Sequence, residues 1–436
     1  MKKYIIGGYI RDTLRGAKPH DKDYVVVGAT VDKMLSRGYK QVGKDFPVFL
    51  HPETNDEYAL ARTERKTGDK HTGFDFNFSP DVSLYDDCLR RDFTCNSIAL
   101  DEETGEIIDY FNGRQDIENK IIRIVDEKNF KLDPLRILRA YRFAAVLDFD
   151  IEPKTTEVLR KMVADGTLRH LTPERVWKEV QKALSPAANS SKFFEGLAKI
   201  GGLHDWFPEL EALVNTPEIK KYHISENTFK HTMCALTRVR NENEIIKWAV
   251  LNHDNGKSNT PPEILPHHHN HDIRGLELIN RACNRLKVPN EYRNFALLFC
   301  REHMRISKFT TMRLTKQYDL IKEISGNFRN RKHLEMFLQC FYADYYGEQT
   351  LNEYSSNLEF QNICNTMTRI YDILEGITLK DLPKEDQKSL EKQKGAQFGI
   401  IYREYMIKLL KTKLKNSSKY DMIKLNSKKD RCDGCV

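Results

Sequence analysis

Asp21 and Asp23 flank Lys22 at the entrance to a β-branched run, Tyr24 to Val27, a short way behind the glycine pair Gly7-Gly8. Residues two apart on a strand share a face, so this spacing turns both carboxylates to one side. Held that close they repel unless a cation lies between them, and hard oxygen ligands suit Mg²⁺. Gly7-Gly8 stops the apolar run Tyr4-Ile5-Ile6, after which Ile10 and Leu14 fall at helical spacing. The pattern predicts strand, tight turn and helix. The glycines bare backbone N–H groups for a triphosphate, and Arg11 projects from the first turn as a bidentate phosphate partner. Either feature alone is common in proteins of no activity. In this order, inside one strand–helix–strand unit, they describe a nucleotidyl-transfer site. Glu57, at the head of the alternating run Glu57 to Arg62, is a candidate third carboxylate; a solvated strand acid explains it equally well.

A second set lies on a helix predicted from Asp133, D-P-L-R-I-L-R-A-Y-R-F-A-A, with Asp133 as N-cap and Pro134 in the first turn. Asp133, Arg136 and Arg139 recur every three residues and share one polar face. Amphipathic helix surfaces often look like this, but a carboxylate fixed beside a guanidinium also carries a chemical code. The carboxylate only accepts hydrogen bonds and the guanidinium only donates. Cytosine and adenine both offer donor then acceptor on their Watson–Crick edges, whereas guanine and uracil offer the reverse. One Asp–Arg pair therefore admits C and A and rejects G and U without a template. Upstream, Arg90-Arg91-Asp92 points two guanidiniums and an acid at one place.

G-G-x-x-R-D followed by D-x-D resembles the head of the DNA polymerase β-like nucleotidyltransferases. The text from Asp21 to Phe76, including Val25 to Thr30, Val42 to Pro52 and Tyr58 to Lys66, narrows the resemblance. It looks like the bacterial CCA-adding enzymes, tRNA nucleotidyltransferases of the subgroup carrying an HD phosphohydrolase domain, over residues 1 to about 415. The resemblance implies an α+β polymerase-β-like nucleotidyltransferase head followed by an all-helical body with an HD domain. It implies addition of CMP, CMP and AMP to tRNA 3′ ends from CTP and ATP. Gly8 and Arg11 would then hold the triphosphate, Asp21 and Asp23 the Mg²⁺, and Arg91, Asp133, Arg136 and Arg139 the nucleotide.

Two motifs depart from that family. R-R-D-F-T-C-N-S stands where R-R-D-F-T-I-N-A contacts the incoming nucleotide, with Arg91 and Asp92 in that role and Asn96 structural. Leu132-Asp133-x-x-Arg136 replaces E-D-x-x-R, which removes an acid that supports Arg136. His170 to Glu179 matches a bracing motif, in which Glu174 and Arg175 are structural. His253-Asp254-Asn255-Gly256-Lys257 resembles the H-D-x-G-K signature of HD phosphohydrolases, with Asn255 for the commoner Leu. His231, 22 residues earlier, and Asp344 stand where the outer ligands are expected. The metal set is therefore His231, His253, Asp254 and Asp344, extended by the histidines of the 267–271 run. Two imidazoles and two carboxylates suit a transition metal. The resemblance implies Ni²⁺-stimulated 2′,3′-cyclic phosphodiesterase, 2′-nucleotidase and phosphatase activities.

The chain's 436 residues, 40% hydrophobic and 31% charged, are enough for several soluble domains with ample core. A net charge of +7 favours a polyanionic partner. The 9 scattered cysteines argue for reduced thiols in a cytosol. The first apolar run is too short for a signal peptide, and none approaches the length of a membrane span. A cytoplasmic monomer or homodimer is expected, without membrane contact.

The elements divide into a head at 1–130, a helical neck with the nucleotide-selecting helix at 131–205 and an HD domain at 206–345. A helical tRNA-binding region fills 346–436 and ends in a disordered lysine-rich tail from Lys419. Residues 65–83 read as a mobile loop, and Tyr402 to Lys415 as a basic helix that tracks tRNA phosphates. Cys432-x-x-Cys435 lacks a partner pair and does not indicate zinc. Two other readings stay open: a poly(A) polymerase, marked by tailing from ATP alone, and a phosphohydrolase with a vestigial head.

Overall fold

The computed structural model describes residues 1–19, 21–42, 48–66, 74–218, 225–347 and 357–429. Gly43 to Pro47 of the Val42–Pro52 motif, the centre of the expected loop and Cys432-x-x-Cys435 lie outside them. The chain forms two compact units. The first is Met1–Thr216 with Arg240–Glu244 and Asn280–Pro289; the second is Pro217–Val239, Ile245–Ile279 and Asn290–Val436.

In the first unit, β1 (Lys2–Ile6), α1 (Gly8–Leu14), β2 (Asp23–Val27), α2 (Val31–Ser36), β3 (Lys40–Val42), β4 (Val48–Leu50) and β5 (Glu57–Leu60) come first. They are followed by β6 (Thr63–Lys66), β7 (Phe74–Asn77), α3 (Leu84–Leu89), β8 (Ala99–Asp101), β9 (Ile107–Ile108) and α4 (Gly113–Glu118). One sheet of 7 strands runs in the order β3-β4-β5-β2-β1-β8-β9. Alternation decides which residues it buries. Tyr4, Ile6 and Val25 pack with Ala61, Val82, Leu84, Cys88 and Ala99, so α3 and its flanks seal one sheet face. The strand that carries Asp23 is thus held on both sides, antiparallel to β1 and parallel to β5.

Helices follow: β10 (Ile121–Ile122), α5 (Glu127–Phe130), α6 (Leu135–Leu147), β11 (Asp150–Ile151), α7 (Pro153–Ala164), α8 (Pro173–Ala183), α9 (Ser190–Lys199) and α10 (Pro208–Val214). Pro153 and Pro173 occupy first-turn positions, where their missing N–H costs nothing. α6 begins at Leu135, one turn-start later than the sequence suggests. Asp133 still acts as its cap, because Oδ1 accepts from Leu135 N at 3.1 Å.

The second unit contains α11 (Thr228–Arg238), most of α12 (Glu244–Asn252), the start of α13 (His271–Leu286), α14 (Asn290–Ile306), α15 (Leu314–Ile324), α16 (Arg331–Tyr346), α17 (Leu358–Glu375), α18 (Lys384–Glu391) and α19 (Gly395–Lys429). Among the described residues no helix is long and apolar enough to cross a membrane.

Two expectations change. The polar stretch 65–83 is not all loop: β6 and β7 pair antiparallel, Thr63 opposite Asn77 and Lys66 opposite Phe74. Glycine, aspartate and asparagine hid the alternation Phe74, Phe76, Phe78, which is a strand signal. The lysine-rich end is helical through Lys429 instead of unstructured from Lys419. No proline or glycine interrupts 400–429, so nothing in that stretch breaks the helix.

Candidate nucleotidyl-transfer site and a histidine-rich centre

Asp23 and Glu57 open neighbouring parallel strands and are direct register partners, so their carboxylates emerge side by side on one face. Asp21 precedes β2 rather than lying in it. Asp23 as a residue is exposed, yet lost hydration raises its carboxyl pKa; Arg91 opposes the rise, and Glu57 and Asp21 add to it. Acids crowded in this way favour a shared cation.

Gly7, at φ +81°, makes the turn between β1 and α1, and a Cβ there would stand 3.5 Å from Arg91 Nη1. A Cβ on Gly8 would stand 3.5 Å from Arg11 Nη2. Arg11 itself is occupied. Its Nε and Nη2 donate to Asp12 at 3.0 and 2.8 Å, and Nη1 donates to Asn96 Oδ1 at 2.7 Å. Asn96 in turn donates to Asp92 Oδ1 at 3.1 Å, and Asp92 Oδ2 accepts from Arg139 Nε and Nη2 at 2.8 and 2.5 Å. Burial pushes the Asp92 carboxyl up, but Arg139 and Arg136 outweigh it and hold the group far below the usual range. Asp92 and Arg139 therefore hold each other.

The turn that carries Arg91 and Asp92 rests on Gly113. A Cβ there would lie 2.2 Å from the Thr94 carbonyl oxygen, so only glycine lets α4 approach. Asp116 on the same helix accepts from Thr94 Oγ1 at 2.7 Å.

A cavity of about 370 Å³ is lined by six arginines (62, 90, 91, 136, 139 and 175) against three carboxylates (Glu64, Asp92 and Asp133). Behind it, the fully buried Asp87 accepts from Arg90 Nη2 at 2.5 Å and Arg91 Nη2 at 3.1 Å. Glu64 accepts from Arg62 Nε and Arg90 Nη1, both at 2.9 Å. Burial, and then Arg90 beside it, lowers the Arg62 guanidinium to about 10. Such crowding of cations suits a polyanion such as a triphosphate.

Asp133 and Arg136 line this same cavity but have different anchors. Asp133 Oδ2 accepts from Arg175 Nη2 at 2.8 Å. Arg136 donates from Nη1 to the Asn129 carbonyl at 3.0 Å and from Nη2 to the Arg90 carbonyl at 2.7 Å. Backbone oxygens thus support the guanidinium where the sequence lacks the expected acid. Nearly two turns on, Arg142 donates to Glu179 at 2.9 Å, so α8 clamps α6 through Glu179 and the α6 cap residue Asp133 through Arg175.

In the second unit His231, His253 and Asp344 bring ligand atoms within 4.8 Å of one another, and Asp254, His271 and His303 form a second such group. Asp254 faces both. Its Oδ2 lies 3.3 Å from His253 Nε2, and its Oδ1 lies 3.2 and 3.6 Å from Nε2 of His271 and His303. His253, His271 and His303 each set Nδ1 at 2.7 Å from the backbone carbonyl three residues earlier. At His271 and His303 that contact places the proton on Nδ1 and leaves Nε2 a lone pair directed inward. At His253 burial opposes the charged form, yet Asp254 and Asp344 raise its pKa well above the usual range. His271 and His303 then oppose lone pairs at 3.0 Å, which a cation or an added proton must relieve. Lys257 grips Asp254 Oδ2 at 2.9 Å and Glu218 Oε1 at 2.8 Å. Burial works against ionisation of Asp254, yet His253 and Lys257 keep it ionised well below the usual range. A Cβ on Gly256 would sit 1.9 Å from the His271 carbonyl oxygen, which explains glycine in that signature. Asn255 is no ligand: its Nδ2 donates to Asn252 Oδ1 at 2.9 Å inside the core.

Residues 3–123 match the family described as Poly A polymerase head domain, and 148–213 match Probable RNA and SrmB-binding site of polymerase A. A multifunctional CCA protein of Acinetobacter baumannii is 40% identical over 415 residues, 94% of this chain and 97% of that one. That of Thioalkalivibrio sulfidiphilus is 44% identical over 352 residues, covering 80% and 85%. This chain belongs to the multifunctional CCA protein family. Its fold is also that of solved CCA-adding enzymes. The Bacillus stearothermophilus enzyme in complex with CTP gives a TM-score of 0.61 at 21% identity, with 96% of this chain and 94% of that chain covered. The Thermotoga maritima enzyme complexed with tRNA gives 0.60 at 20% identity, covering 94% and 87%.

For this member of the multifunctional CCA family, sequence reasoning missed several contributors, Arg62 among them. Glu64 and Arg175 had no spacing that tied them to the cavity. His303 stands alone at the end of α14, and only the fold carries it to His271.

Proposed function

We propose that the first unit adds CMP, CMP and AMP to tRNA 3′ ends from CTP and ATP, working in the cytoplasm. The observation that carries this reading is the pairing of one held acceptor, Asp133, with one held donor, Arg136, in a single arginine-lined cavity. That pair suits the shared edge of cytosine and adenine. Arg91, with Arg62 and Arg90 close by, offers charge to the triphosphate, and Gly8 gives its backbone. Asp21 and Asp23, with Glu57 beside them, fit the hard-oxygen donor set of Mg²⁺. The cation, when bound, lowers the pKa of the attacking 3′-hydroxyl and neutralises charge at the transferring phosphoryl group. Arg139 serves by fixing Asp92, and Arg11 by fixing Asn96. Incubating the protein with tRNA that lacks its CCA end and each labelled nucleotide tests the reading. Incorporation of C and A alone supports it, tailing from ATP alone favours a poly(A) polymerase, and incorporation of all four sinks it.

We further propose that the second unit is an HD-type phosphohydrolase acting on 2′,3′-cyclic phosphates, 2′-nucleotides and other phosphomonoesters. The opposed Nε2 atoms of His271 and His303 support it, because mixed imidazole and carboxylate donors suit Ni²⁺ or a similar ion. Metals there, with Asp254 facing both groups, would supply Lewis acidity at phosphate oxygens. Hydrolysis of 2′,3′-cyclic AMP with added Ni²⁺ is the test; no hydrolysis with any divalent ion rejects it.

A further inference from the structure

The first unit holds a second opening, of about 310 Å³, whose walls include Tyr141, Phe149, Thr156, Lys192, Glu195 and Lys199. Its floor is aromatic and rigid. Tyr141 and Phe149 are only 5% and 3% exposed. Gly196 fixes the tyrosine ring, since a Cβ there would lie 2.2 Å from its Cδ1. The Arg15 guanidinium carbon sits 5.7 Å from the Phe149 ring centroid and backs that ring. Among the described residues, the Tyr141 hydroxyl has no hydrogen-bond partner, and neither Glu195 nor Lys199, one helical turn apart, has an ion-pair partner.

The rim carries little net charge. Lys192 is neutralised by Asp148 at 2.8 Å and Asp150 at 3.3 Å. Thr156 Oγ1 donates to the Glu152 carbonyl at 3.1 Å and keeps its lone pairs for an incoming donor. With no arginine fork in its walls, the opening does not suit a phosphate. Above that buried aromatic floor it offers a phenol, an acceptor carboxylate and a donor ammonium, the groups that recognise a splayed base by its edge. All of the walls except Tyr141 and Ala144 fall within 148–213, the stretch that matches an RNA-binding family.

We propose that this opening receives one unpaired nucleobase of the RNA whose end the head extends. The proposal rests on the tRNA reading above. The test uses the full chain with tRNA lacking its CCA end, irradiated at short ultraviolet wavelength and mapped by mass spectrometry, with free AMP as a separate arm. A nucleotide adduct on a peptide containing Tyr141 or Phe149 is expected. Tyr141→Phe combined with Glu195→Gln, both nearly isosteric, should raise the KM for tRNA about fivefold and leave the KM for CTP and kcat unchanged. Adducts confined to other peptides, or tRNA binding unaltered in the double variant, overturn the proposal and leave the opening to a protein partner. An adduct formed by AMP but not by tRNA overturns the RNA assignment in favour of a free nucleotide. Failure of the unmodified protein to extend tRNA rejects the tRNA reading itself; extension without the adduct rejects only this site.

Discussion

Arg175 donates to Asp133 at 2.8 Å, so the acceptor that faces the cavity is held by a residue whose motif reads as a mere brace. Leu135 N holds one carboxylate oxygen, and the clamp from α8 holds the other, so Asp133 presents a fixed edge. Arg175→Ala should therefore loosen base choice while the nucleotide still binds. A charged hydrogen bond contributes about 1.5–3 kcal/mol, so misincorporation of U and G should rise about ten- to hundredfold relative to C and A. Arg136→Ala should do the same more strongly. Single-turnover assays with each nucleotide decide it, and unchanged selectivity in both variants moves the selector elsewhere.

The Asp23–Glu57 juxtaposition predicts a metal-dependent stability. With no cation between them the acids repel, so Mg²⁺ should raise the melting temperature of the head measurably. Asp23→Asn should abolish CMP and AMP incorporation, raise the Tm in chelator and erase the Mg²⁺ increment. If Mg²⁺ shifts the Asn variant as much as the parent, the site lies elsewhere.

Asp92 supplies a pH signature. Its carboxyl titrates below its unfolded value because Arg139 and Arg136 outweigh the cost of burial. Its contribution is therefore complete above the ordinary carboxylate range and disappears as pH falls below that range. Asp92→Asn should destabilise the protein by about 2 kcal/mol at pH 7, since it leaves the half-buried Arg139 guanidinium without its carboxylate. The gap to the parent should close at acid pH. Denaturant titrations across pH measure this directly, and a gap independent of pH contradicts it.

Metal content separates the two imidazole groups of the second unit. The parent should bind two transition-metal ions, His303→Ala should keep one, and Asp254→Ala should lose both. None of these changes should slow CCA addition. Gly256→Ala should resemble Asp254→Ala, because its methyl would collide with the His271 carbonyl 1.9 Å away. Elemental analysis of purified variants is the readout; a single ion in the parent removes the second site.

Much of this was legible in the residues, and the rest fails for identifiable reasons. β1, the Gly7 turn and β2 follow from apolar runs and glycine, both local signals. The H-D-N-G-K run likewise marks where His253 and Asp254 meet the other possible metal ligands. Glu64 was hidden because β6 and β7 look polar and pair across an interval that sequence periodicity does not bridge. The contacts of Arg11 were hidden for a different reason: spacing places a guanidinium in the first turn but does not reveal that Asp12 and Asn96 accept from it. His303 carries no neighbourhood signal, and its meaning comes from a tertiary approach between α13 and α14.

The discontinuous make-up of the first unit bears on how the chain is made. Residues Asn280–Pro289 belong to it, and there Arg285 Nε donates to the Trp206 carbonyl at 3.1 Å. A ribosome that has just released Thr216 has therefore not yet supplied all of that unit. Its last piece emerges only after α11, α12 and the histidine run have been synthesised, so the nascent first unit waits on a segment of the second. Gene fusions or truncations cut between the two would leave the amino-terminal product without its final strap, and co-expressing the missing half is the natural way to restore it.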